Sequence, residues 1–391
     1  MEAGTSGNIC FNSVTVSGSI RIDIELERDG NKEALWFEFS NPVTLTDDVI
    51  AVALSTLCAR KYKGIHFDLE PSTEIVRRIE DFTTAEVTTR GNRSIPTHSR
   101  RGTALSFSGG FDSLAALCLM PIDTQLVSMD FMGRFARERA FYEKNFRTIT
   151  IQTNLLETGL HRNSWAFMGI GAILTSQHTH AAFHTFGSIL EAGPDNMSAA
   201  PAAAKNDTFP PFAMAGYRNA PFVAGLTEIG TLQALMHYRP ELIRHSLNSV
   251  ASPGEEKLYR KQVLAQVVAE RRGVKLDLDL TQKPTRTHFG FGQNFALDLL
   301  ALYVAKHAGE DVASDLVRDI PSDAFDAAKR LDLTFFERAN TNLYEHFPKE
   351  YLGGMTERLA EAGIRFYTER DWTEFQEVRR LLGPYHPTVS T

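Results

Sequence analysis

Residues 108–113 read Ser-Gly-Gly-Phe-Asp-Ser, placing two hydroxyls, two adjacent glycines and a carboxylate within one turn of chain. A short apolar run over 103–107 precedes them, and from Leu114 the pattern turns helical, so the stretch predicts strand, tight turn and helix. Gly109 and Gly110 let the backbone approach a ligand closely and adopt dihedrals that a Cβ forbids. The Ser108 and Ser113 hydroxyls, with the N–H groups of the first helical turn, suit an anion that the helix dipole also favours. Asp112 is the odd member: a carboxylate beside a phosphate makes sense chiefly when a divalent cation bridges the two. The plainer alternative is a serine-rich N-cap on an ordinary α/β turn.

This string resembles the PP-loop, Ser-Gly-Gly-x-Asp-Ser, of the N-type ATP pyrophosphatases, with every motif position matched. That superfamily includes asparagine synthetase, GMP synthetase, argininosuccinate synthetase, tRNA thiolases and 7-cyano-7-deazaguanine synthase. No Gly-Lys-Ser/Thr follows, so the turn is not a Walker loop, and the Gly-x-Gly-x-x-Gly spacing is absent. The resemblance extends over roughly 103–250. It implies ATP and Mg²⁺ as the bound groups and a parallel, five-stranded, doubly wound sheet of the HUP type. Ser108, Gly109, Gly110 and Ser113 would then hold phosphate and Asp112 the metal. By the same similarity Ser128, Met129 and Asp130, at the end of the second strand, would contact adenine or ribose. An ordinary helix N-terminal acid is the other reading of Asp130.

Asparagine synthetase-like enzymes carry Ser-Gly-Glu-Gly-x-Asp at the fourth strand. Here the stretch is Phe186-Gly-Ser-Ile-Leu-Glu-Ala-Gly-Pro-Asp. It offers Gly187 and Ser188 as nucleotide contacts, and Glu191 and Asp195 as partners for Asp112 around Mg²⁺ or as solvated loop acids. Displacing pyrophosphate needs positive charge where negative charge develops. Lys205 and Arg218 are the expected catalytic cations, with Lys283 and Arg286 as further candidates. Residues 220–230 resemble the helix-start segment of 7-cyano-7-deazaguanine synthase, where Leu-x-Lys is usual, but Glu228 stands at the lysine position. The four zinc-binding cysteines of that synthase are absent too. His178, His180 and His184 invite a zinc reading, although closeness in sequence does not by itself converge ligands.

The expected reaction is adenylation of a carboxylate or amide oxygen, release of pyrophosphate, and displacement of AMP by a nitrogen nucleophile. Nothing in the sequence marks a glutaminase domain, so ammonia, an amine or a partner protein would supply the nitrogen. The acceptor would be a small molecule, a nucleobase or a protein, and bacterial defence operons are one setting in which similar synthases occur. The alternatives are sulfur transfer to tRNA, which normally uses catalytic cysteines, and a regulatory module that binds ATP without turnover.

Around these residues the chain divides, as read, into a small α+β domain (1–98), an ATP-binding α/β domain (99–250) and a mainly helical region (251–391). Ile20–Leu26 alternates apolar and polar residues, Asp29-Gly30 supplies a hairpin turn, and Ala34–Phe39 returns as the partner strand. Beyond 103, strands alternate with helices, the pattern of a parallel sheet. The helical region predicts a cap on the sheet or an oligomer interface, with a homodimer as the expected assembly. At 391 residues and 43% hydrophobic the chain is globular in composition, and a net charge of −7 argues against a grip on nucleic acid over its whole surface while leaving room for a local basic groove. Cys10, Cys58 and Cys118 are widely separated and form no disulfide or zinc pattern. The N-terminal residues lack the features of a signal peptide and no stretch reads as a membrane span, so a cytoplasmic protein is expected.

Overall fold

The computed structural model describes residues 6–93, 99–192, 197, 205–252, 254–276, 278, 283 and 287–387. They form two compact units: Met1–Ser108 with Ile122–Phe186 and Asp207–Ala220, and Gly109–Pro121 with Gly187–Asn206 and Pro221–Thr391.

The first unit is built on one sheet. Its strands are β1 (Ser6–Ser17), β2 (Arg21–Arg28), β3 (Asn31–Phe39), β4 (Tyr62–Phe67), β5 (Glu86–Thr89), β6 (Thr103–Ser106), β7 (Gln125–Asp130), β8 (Ile149–Thr153), β9 (Phe183–Thr185) and β10 (Arg218–Asn219). Their spatial order is β10-β9-β6-β7-β8-β3-β2-β1-β4-β5. The chain is therefore α/β, as expected, but the sheet has ten strands of mixed orientation rather than five parallel ones. The run β10-β9-β6-β7-β8 is parallel throughout, and β8 then pairs antiparallel with β3 through Phe37–Thr153, Glu38–Gln152 and Phe39–Ile151. The physical reason is edge pairing. A free edge on β8 would leave a row of unpaired N–H and C=O groups, and the returning strand of the N-terminal hairpin satisfies them. Asn154 secures the junction, accepting the Trp36 N–H at 3.0 Å and donating to the Ala34 carbonyl at 2.8 Å.

Local signals place the elements of this unit. Ile22, Ile24 and Leu26 alternate inward along β2, and the hairpin turns at Asp29 and Gly30, both at positive φ. Helix α1 (Asp47–Cys58) is capped by Thr46 and α2 (Thr73–Thr83) by Ser72, each side chain accepting an N–H of the first turn. After β8 the chain forms a 3₁₀ segment, Trp165–Gly169, followed by a short helix, Ile170–Leu174. Gly169, at the end of the 3₁₀ segment, is closely packed: a Cβ there would lie 2.3 Å from the Phe186 ring. The strand order reverses between β9 and β6, and this switch point is where open parallel sheets place ligands beyond the strand C-termini.

The second unit is helical among its described residues. It contains α3 (Phe111–Leu119) and the helices Glu228–Tyr238, Leu242–Val250, Glu256–Arg272, Phe295–Ala308, Ser322–Arg330, Lys349–Glu361 and Glu369–Leu382. Helix Glu228–Tyr238 is central, with Ile229 through Met236 all buried, and packs against α3. Pro321, which has no N–H to donate, stands at the start of the helix Ser322–Arg330. The helix Glu369–Leu382 opens on a capping box between Thr368 and Asp371. No helix among the described residues is long and apolar enough to cross a membrane.

Candidate functional site

Helix α3 opens on the glycine turn, and no side-chain oxygen caps it. Gly110 is its N-cap, in an extended conformation, and Gly109 sits at φ +78°, where an L side chain would be strained. Ser246, from the helix Leu242–Val250, donates its hydroxyl to the Gly109 carbonyl at 2.7 Å and so fixes the turn from within the second unit. Ser113 is buried and its hydroxyl donates to the Gly110 carbonyl at 3.1 Å. At the other end of α3, Arg358 donates to the Cys118 carbonyl at 2.9 Å.

Gly187 packs onto this first turn. Its φ is +75°, and a Cβ there would meet the Asp112 carbonyl oxygen at 3.0 Å and Ser113 Cα at 3.1 Å. Only a glycine allows that approach, which carries the chain on to Glu191. Glu191 is buried, 5% exposed, and accepts the Glu228 N–H on Oε1 at 2.6 Å. Its second oxygen, Oε2, is buried with no hydrogen-bond partner among the described residues.

Asp112 is half-buried, and its Oδ1 lies 3.4 Å from the Thr231 hydroxyl of the helix Glu228–Tyr238. Lys261, from the helix Glu256–Arg272, donates to Glu228 Oε1 in an ion pair whose side chains are 14% and 13% exposed. Its ammonium also stands 5.0 Å from the centre of the Phe111 ring. Lys257, Arg260 and Lys261 share one face of their helix at i, i+3 and i+4 spacing.

The electrostatics follow from this crowding. Desolvation raises the Asp112 carboxyl to about 6, with Lys261 opposing the rise and Glu228 adding to it. Desolvation pushes Glu191 up to about 8, the Glu228 amide working against it and the Glu228 and Asp112 carboxylates with it. Burial on its own would lower the Lys261 ammonium, but Glu228 and Asp112 outweigh it and leave the pKa raised. The result is a set of close acids with one buried lysine among them.

This set fits a hard divalent cation. Glu191 Oε2 is a buried carboxylate oxygen without a donor, and Asp112 retains contact with solvent. The described residues contain no group of three or more His, Cys, Asp or Glu placed to hold a metal ion. Mg²⁺ typically takes one or two protein carboxylates and completes its shell with water and phosphate oxygens, so Asp112 and Glu191 are the residues that could hold it.

Of the residues singled out in the sequence, the second unit brings together Gly109, Gly110, Asp112, Ser113, Gly187 and Glu191. Ser188 is exposed in the same unit, as is Lys205, and Asp195 lies outside the described residues, as does Arg286. Lys283 is ion-paired with Asp315. The first unit holds the others. Ser108 is exposed there; Ser128 is fully buried, donating to the Phe107 carbonyl at 2.7 Å, and Met129 is half-buried beside it. Asp130 is buried and already engaged, by Arg139 at 3.0 Å, Gln152 at 3.1 Å and the Met132 N–H at 2.8 Å. Arg218 stacks over the Phe183 ring at 3.9 Å. His184 hydrogen-bonds Ser106 at 2.8 Å and stacks on Phe212, while His178 and His180 are exposed.

Lys261, Thr231 and Ser246 are not among the residues that the sequence singles out, and Lys261 is the charged one. The available signal was the Lys257, Arg260, Lys261 spacing on an expected helix, which marks a basic face but not what that face meets. No protein-family model, curated protein or solved structure matches the chain.

Proposed function

We propose that the chain is an ATP-dependent ligase that forms AMP and pyrophosphate. The observation that carries this reading is the position of Asp112. It stands in the first turn of α3, directly after an uncapped glycine turn, within one cluster with Glu191, Glu228 and Lys261. Asp112 and Glu191 would hold Mg²⁺, which when bound offsets the charge of the phosphates. The amides of the first turn and Ser113 would receive phosphate oxygens, and Lys261 would supply the positive charge that the departing pyrophosphate requires. This lysine answers the position where Glu228 replaces the cation expected from the resemblance.

In the proposed reaction an acceptor carboxylate or amide oxygen attacks the α-phosphorus, and the bond from that phosphorus to the bridging oxygen breaks. Pyrophosphate leaves with the electron pair. A nitrogen nucleophile then attacks the activated carbon, and AMP leaves as the carbon–oxygen bond breaks. The acceptor would be a small molecule, a nucleobase or a protein. Sulfur transfer is the weaker enzymatic reading, because burial raises the thiols of Cys10, Cys58 and Cys118 away from the thiolate that such chemistry uses. A module that binds ATP without turnover is the second reading, favoured by the fact that Lys261 is already partnered by Glu228.

The test is mass spectrometry of products from ATP, Mg²⁺ and a panel of candidate acids, comparing the wild type with Asp112→Ala. AMP and pyrophosphate that disappear in the variant are expected. ADP and phosphate would overturn the mechanism, and ATP binding without turnover would favour the second reading.

A further inference from the structure

The second unit contains a cavity of about 310 Å³ lined by Arg271, Arg272, Arg338 and Arg365 together with Gln233 and Gly363. The volume lies at the small end of the range of roughly 300–1,000 Å³ typical of ligand pockets. Thr334 and Glu337 complete its wall.

The charges in this wall do not balance. Glu337 is taken up by Arg271, at 2.9 and 2.7 Å, and by the Tyr303 hydroxyl at 2.8 Å. Arg338 is paired with the buried Asp371 at 3.1 Å, and Thr334 donates to the other oxygen of that carboxylate at 2.7 Å. Arg272 donates to the Ala362 carbonyl at 2.9 Å but has no carboxylate partner among the described residues. Arg365 is exposed, and its side chain has no hydrogen bond or ion pair among them. Two guanidinium groups therefore remain uncompensated in one cavity, each able to present paired N–H donors to a planar or tetrahedral oxyanion.

Two further features point to a ligand. Gly363 sits at φ +72°, and a Cβ there would lie 3.2 and 3.3 Å from the terminal nitrogens of Arg272. The missing side chain leaves the Arg272 guanidinium uncovered. Gln233 is 3% exposed, and its Oε1 is buried with no partner among the described residues. A buried amide oxygen left unpaired is destabilising, and a donor on a bound molecule would satisfy it.

From this cavity we infer a binding site for a small organic oxyanion, phosphate ester or carboxylate, that also carries an O–H or N–H donor. Arg272 and Arg365 take the anionic group, and Gln233 accepts from the donor. Gln233 and Thr231 lie on the same helix, Glu228–Tyr238, but two residues and so roughly 200° apart around it, which separates this site from Asp112.

Titration of the full chain with glycerol 2-phosphate and, separately, with L-glutamate, read by calorimetry, tests the site. Saturable binding of at least one probe is expected, and the tighter probe assigns the anionic group as phosphoryl or carboxylate. Arg365→Ala, an exposed change, should weaken that binding about tenfold or more, the scale of one charge-assisted contact. Arg272→Ala should do the same, while Asp112→Ala should leave it unchanged, which separates this site from the proposed ATP site. Binding of neither probe, or binding that survives both arginine substitutions, would overturn the inference.

Discussion

Lys261 and Glu228 form an almost fully enclosed ion pair that joins the starts of the helices Glu228–Tyr238 and Glu256–Arg272. Asp112 lies within the field of both groups. A lone carboxylate at position 228 would add only repulsion to a site already holding Asp112 and Glu191. Lys261 reverses this, so the local charge depends on a residue contributed by another helix.

Removing the lysine should therefore destabilise the fold. Breaking one partner out of a buried pair costs roughly 3–5 kcal/mol, and Lys261→Met is expected near the lower end because 14% of its side chain stays exposed. Urea unfolding measures this. Adding Glu228→Gln should recover most of the loss in stability without restoring nucleotide turnover. Full activity in the double variant would remove Lys261 from the proposed chemistry.

Gly187→Ala should cost about 1–3 kcal/mol, because alanine at φ +75° is strained and its Cβ would press on backbone atoms of Asp112 and Ser113. Thermal unfolding gives the loss. Gly353→Ala, a helical position where nothing stands within 4 Å of a new Cβ, serves as the comparison and should be neutral or stabilising.

Acid should act through His184. Burial lowers its pKa to about 3, against about 6.5 in the unfolded chain, so the folded state holds the imidazole neutral beside Ser106 and Phe212. Between these values the unfolded chain binds the extra proton. Stability is thus complete above about pH 6.5 and falls by at most about 1.4 kcal/mol per pH unit below it. Urea midpoints at pH 7, 6 and 5 should show a smaller decline in His184→Gln than in the wild type.

The thiols should be slow nucleophiles. Burial raises Cys58 far above its usual range and Cys118 to about 12, and it also raises Cys10, with Glu27 adding to the rise. Iodoacetamide at pH 8 should label Cys58 and Cys118 in the native protein far more slowly than after denaturation. Rapid native labelling of Cys118 would reopen the sulfur-transfer reading.

The sequence by itself determined the local elements. Asp29-Gly30 marked the hairpin, and residues 103–119 declared a strand, a glycine turn and a helix. These are short-range effects of φ preference, capping and periodicity, carried by residues a few positions apart. The tertiary structure alone decided the rest. β3 joins β8 across more than a hundred residues and turns a five-strand expectation into a ten-strand sheet. Glu191 loses its water, and Lys261 arrives from a separate helix, Glu256–Arg272. Edge pairing, desolvation and Coulomb attraction depend on distance through space, and no local pattern of residue types encodes which distant partner will meet them.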